Sequence, residues 1–186
     1  MEAFWVSTGI VAISEIGDKT QLLALILAAR FRKPWPIIWG ILLATLLNHS
    51  LAAWLGVMVA EFLGPEVSRW VLGLSFIAMA IWVLVPDKAD DEPSALDKAG
   101  PFVASLVAFF LLEIGDKTQV ATIALAARFN DLLLVTMGTT TGMMIADVPA
   151  VFLGEAVANK IPLRLVMIVT AIIFAGLGIS ALVFTI

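Results

Sequence analysis

Cysteine and tyrosine are absent from this chain, histidine occurs once, and only 14% of the residues are charged. Without cysteine there is no disulfide framework, no thiolate metal site and no cysteine nucleophile, while the redox compartment stays undetermined. The scarcity of charge excludes more, because a soluble domain carries about a quarter of its residues as Asp, Glu, Lys and Arg. Here 61% of the 186 residues are hydrophobic and the mean hydropathy is +1.05. A chain this short leaves much of its surface outside any core. The medium around that surface therefore has to be lipid. The formal charge of −4 argues against a nucleic-acid partner, which calls for a basic patch.

Apolar runs of about 20 residues cross a bilayer. Six are present, at roughly 4–29, 36–60, 70–85, 101–127, 132–157 and 163–186. The first has no basic leader and no small-residue cleavage site at its end, so it is expected to stay in the mature protein. The hydrophilic stretch at 87–100 reads as a solvated acidic linker between residues 1–86 and 101–186.

A shift of 98 residues lays the second part on the first without a gap from Ser7/Ser105 to Gly56/Gly154. Glu15-Ile-Gly-Asp-Lys-Thr-Gln21 recurs whole as Glu113-Ile-Gly-Asp-Lys-Thr-Gln119, and Gly40 falls on Gly138. The expected fold is all-α: six transmembrane helices in two three-helix repeats, inverted relative to one another because three is odd. With alternating sides, Arg30, Arg32, Lys33, Lys88, Lys98, Lys160 and Arg164 share one side, against Arg69 and Arg128 on the other. The positive-inside rule makes the first side cytoplasmic and puts both termini outside.

Both seven-residue motifs fall near mid-span. A charged residue at a helix centre costs about 2.5–3.5 kcal/mol on insertion scales, so the six in the two motifs together cost on the order of 15–20 kcal/mol if they face lipid. They must face one another or water. On a continuous helix, Glu15 with Asp18 and Glu113 with Asp116 share a face at i, i+3, and Gln21 and Gln119 extend it. Lys19 and Lys117 follow the glutamates by four and can pair with them, with Thr20 and Thr118 next to them as motif support. Gly17 and Gly115 allow either close helix approach or local unwinding. Four carboxylates less two ammonium groups leave −2, which one divalent cation neutralises. Oxygen ligands of this kind suit Mg, Ca or Mn rather than Zn or Cu. The bland alternative is acid–lysine helix glue without an ion, which fits one isolated motif better than two identical ones.

In the second helix of each repeat, Asn48 and His49 lie near mid-span, and His49 aligns with Asp147. The single histidine opposite an extra buried acid suggests a proton or ligand role. Gly40/Ala44 and Gly138/Gly142 have the spacing of a close helix contact.

The doubled Glu-x-Gly-Asp-Lys-Thr motif, one copy per three-helix half around an acidic linker, resembles a family of cation/proton exchangers. That family includes a Golgi exchanger linked to glycosylation, a chloroplast manganese transporter and bacterial manganese exporters. The resemblance covers essentially the whole chain. It implies transport of Mn2+, in some members also Ca2+, against protons, with Glu15, Asp18, Glu113 and Asp116 as the acidic residues, followed by Lys19, Thr20, Lys117 and Thr118. It further implies a bacterial inner-membrane exporter; alternating access around one central site, with no prosthetic group, is the mechanism expected of two inverted halves. The metal ion, protons and the bilayer are its partners, and a homo-oligomer is compatible with the sequence. Rival readings are an exporter of basic amino acids using the same acids, and a scaffold whose motifs only join helices. An enzyme is disfavoured by the lack of cysteine and of any nucleophile elbow.

Overall fold

The computed structural model describes residues 1–85, 99–153 and 163–183, so residues 87–98 of the linker, Gly154 and Lys160 lie outside the described residues. Among the described residues the only regular elements are helices: α1 (Glu2–Ser14), α2 (Lys19–Phe31), α3 (Pro34–Trp82), α4 (Gly100–Glu113), α5 (Lys117–Phe129), α6 (Leu132–Leu153) and α7 (Leu163–Val183). Pro34 opens α3, where the missing N–H costs nothing. α3 holds two of the expected runs in one element, broken at Gly64 where the backbone leaves helical geometry (φ 71°, ψ 168°). Pro34–Gly64 and Leu132–Phe152 are long and apolar enough to cross a bilayer, and Glu2–Ser14, Gly100–Glu113 and Met167–Val183 are shorter apolar helices.

The first and fourth runs are where the structure departs from the simplest expectation. Neither is one continuous helix. Each stops at its motif and restarts at its lysine, as α1 then α2 and as α4 then α5. Gly17 and Gly115 take φ of 79° and 77°, a left-handed turn that L side chains resist and glycine does not. Asp18 and Asp116 then sit at the N-caps of α2 and α5 in extended conformation. The expected i, i+3 acid face and the Lys-to-Glu pairing within one helix are therefore replaced by a different geometry.

The first helix of each repeat packs on the second helix of the other. A Cβ on Gly40 would meet Phe102 O at 2.7 Å and Ser105 Cβ at 2.7 Å, and one on Gly138 would meet Phe4 O at 2.5 Å and Ser7 Cβ at 2.9 Å. These are the same contact twice, displaced by 98 residues, and in both places only a hydrogen leaves room for the approaching backbone. Phe76 and Phe174, also 98 apart, stack on each other with centroids 6.2 Å apart and ring planes at 24°. Each of these residues therefore touches its own counterpart in the 98-residue repeat.

The core divides into two apolar clusters. One gathers Leu23, Leu27, Ile37, Ile41, Ala104, Phe109 and Val151, from α2, the start of α3, α4 and the end of α6. The other gathers Ile10, Phe76, Ala121, Leu125, Val135 and Phe174. The motifs, Asn48, His49 and Asp147 come between these groups along the chain of every helix that carries them. All six tryptophans are exposed, as are Leu51, Leu133 and Ile172, an outer surface suited to lipid and its interfaces.

Candidate cation site

Each helix break is closed by side chains of its own motif. Gly17 N donates to Gln21 Oε1 (3.0 Å) and Gly115 N to Gln119 Oε1 (2.7 Å), while Asp18 N and Asp116 N donate to the carbonyls of Glu15 and Glu113, both at 3.1 Å. The hydroxyl of Thr20 donates to Glu15 Oε2 and that of Thr118 to Glu113 Oε2 (3.1 Å), so each motif threonine orients its own glutamate. The two glutamines, expected among the cation ligands, thus each commit a carbonyl lone pair to the break. Gln21 also donates from Nε2 to Ala146 O in α6 (3.0 Å), which ties the first break to the neighbourhood of Asp147.

The breaks bring the acids together across the repeats. Glu15, Asp18 and Asp116 each present an oxygen within 4.8 Å of the others. Calcium–oxygen bonds of about 2.3–2.6 Å bring the oxygens of three ligands to within about 4.5 Å of one another, so the trio is close to the spacing a large dication needs and has to draw in further for a smaller one. Glu15, Glu113, His49 and Asp147 are fully buried. His49 Nε2 lies 3.9 Å from Glu113 Oε2. Asp147 is within electrostatic range of both Glu113 and Glu15. One oxygen of Glu15, one of Glu113 and both of Asp147 have no hydrogen-bond partner in the described protein. Such acceptors are costly to bury unless a cation or a proton satisfies them.

Each motif lysine has a partner outside its own motif. Lys19 Nζ pairs with Asp116 Oδ1 at 2.9 Å, from one repeat to the other. Lys117 Nζ donates to the carbonyl of Val85 at 3.0 Å. Neither Val85 nor the Ala146 carbonyl carried any sequence signal, since a main-chain acceptor has no residue type. Asn48, expected as motif support, donates to Phe110 O in α4 at 3.0 Å and so holds α3 to α4. A separate cavity of about 770 Å³ opens at the Gly64 break beside Glu61, Arg69, Arg128 and Asn130, and no motif residue lines it.

Two helices broken at a shared, buried carboxylate cluster are the arrangement of ion-coupled membrane transporters, which use the freed helix ends at mid-membrane. That is the class of protein this fold and site define. The chain belongs to the family described as divalent cation/proton antiporter GDT1, whose pattern matches residues 3–91 and 101–185. A Vibrio cholerae protein named "Putative manganese exporter" is 54% identical over 185 residues, covering 99% of this chain and 92% of its own length. A GDT1-like protein of Synechocystis is 29% identical, with coverage of 94% and 93%, and GDT1-like protein 5 of Arabidopsis thaliana is 27% identical, with coverage of 98% and 96%. No solved structure matches significantly. The chain is accordingly a cation transporter and not an enzyme.

Proposed function

We propose that this protein exports a divalent cation, Mn2+ ahead of Ca2+, across a bacterial inner membrane in exchange for protons. The observation that carries this reading is the convergence of Glu15, Asp18 and Asp116 from two repeats within 4.8 Å, beside the fully buried Glu113 and Asp147. Five carboxyl groups share this region with Lys19 and Lys117. The positive charge they lack is supplied by protons or by a dication, and the two compete for the same oxygens. That competition is exchange. The apolar clusters on either side act as seals, and alternating access loosens one while the other stays packed. On this reading each broken pair counts as one of six spans in two inverted repeats, which puts both termini on one side, and the basic residues Arg30, Arg32 and Lys33 favour the outside for them.

Two experiments test this. Purified protein in liposomes should move protons when Mn2+ is added, and Glu15→Gln or Asp116→Asn should reduce that flux at least a hundredfold, while each variant still elutes as a folded species. Undiminished flux in both would remove the carboxylate assignment. A reporter fused after Ile186 should be active only outside the cytoplasm, and activity inside would reverse the orientation.

A further inference from the structure

The family pattern of paired acids accounts for four carboxylates and leaves His49 unexplained. His49 sits in α3 with 0% of its surface exposed, and neither ring nitrogen makes a hydrogen bond to any described protein group. Buried histidines ordinarily commit at least one nitrogen to a carbonyl, a carboxylate or a hydroxyl. Glu113 lies beside the ring, with Nε2 and Oε2 3.9 Å apart. That is too long for a hydrogen bond. It is a separation two ligands of one ion can have, since bonds of roughly 2.0–2.2 Å allow ligand atoms to stand up to about 4.4 Å apart. Asp116, a member of the acid trio, lies within electrostatic range of the same ring.

We infer that His49 is a nitrogen ligand of the transported ion and sets its class, a first-row transition dication such as Mn2+ or Fe2+ in preference to Ca2+ and Mg2+. The inference rests on the carboxylate site proposed above and deepens it. An all-oxygen shell takes alkaline-earth ions readily, and Mg2+ and Ca2+ gain little from an imidazole, whereas transition ions accept mixed nitrogen and oxygen ligands. The repeat supplies the internal contrast. The residue 98 positions on is Asp147, equally buried, which offers hard oxygens in the counterpart position. One half therefore contributes attraction for any dication, and the other discriminates among them.

The test uses the full chain purified in detergent. Electron spin echo measurements on Mn2+ bound to the wild-type protein should show modulation from a directly bonded 14N nucleus. That signal should vanish in His49→Asp and His49→Gln. Competition binding should show the ratio of Mn2+ to Ca2+ affinity falling by roughly tenfold in His49→Asp, which gives both halves the same residue. Mn2+ bound to wild type without nitrogen modulation overturns the assignment even if both variants fail to fold, and so does an unchanged affinity ratio in the variants. Failure of wild type to bind Mn2+ at all would instead count against the carboxylate site on which the inference rests.

Discussion

The two repeats break their helices in the same way and differ in the side-chain contacts around the breaks. Both motifs break at a glycine with nearly the same φ, both restart at an aspartate cap, and Arg32 and Asn130, 98 apart, both close their helices in left-handed conformation. The side chains are less alike. Lys19 reaches across to Asp116, and Lys117 donates to the Val85 carbonyl among its partners. Thr118 donates to both Glu113 and Asp116. Gln21 is anchored at both ends of its amide, and a histidine in one half answers an aspartate in the other. The lesson is that identical seven-residue motifs do not make an electrostatically symmetric site. What each motif faces comes from the opposite repeat and from main-chain acceptors.

The largest effects are expected at the lysines. Lys19→Met leaves a nearly fully buried Asp116 without its cation, and breaking a buried pair costs about 3–5 kcal/mol. Lys117→Met removes at least a charged donor from the Val85 carbonyl, worth about 1.5–3 kcal/mol. A thermal unfolding midpoint unchanged in either variant would remove the role given to that lysine. The packing should be even-handed. Gly40→Ala and Gly138→Ala each push a methyl into backbone 2.7 Å and 2.5 Å away, and each should destabilise by about 1–3 kcal/mol. A much larger effect on one side would show that the exchanged helices are not equivalent. The smallest difference is expected between Gln21→Ala and Gln119→Ala. The first loses a bond to Ala146 in addition to the one that closes the break, and should be the worse by about 1 kcal/mol in the same measurement.

The repeat, the motif and the glycine contacts were legible because they are written in residue identity at a fixed shift. The break was only half legible. Apolar residues flank Glu15–Gln21 on both sides within one span length, and most of the motif tolerates a helix. The clue was the spacing of Asp18 and Gln21, and of Asp116 and Gln119, which matches the start of a helix with a cap and a residue three later that reaches back. Here the glutamine reaches one position further than usual, to the glycine before the cap. The pairing of Lys19 with Asp116 was not legible at all, because spacing within one helix says nothing about a partner 97 residues away.

The stack of Phe76 on Phe174 has a consequence for how such a site can diversify. These residues meet their own copies, so the same architecture could be made by two separate chains of half the length. Two identical chains would be bound to carry two histidines or two aspartates at the positions of His49 and Asp147. Joined into one polypeptide, the halves inherit their changes separately. A substitution made once is then expressed once, and a cavity with twofold walls can hold an ion in a setting that is not twofold.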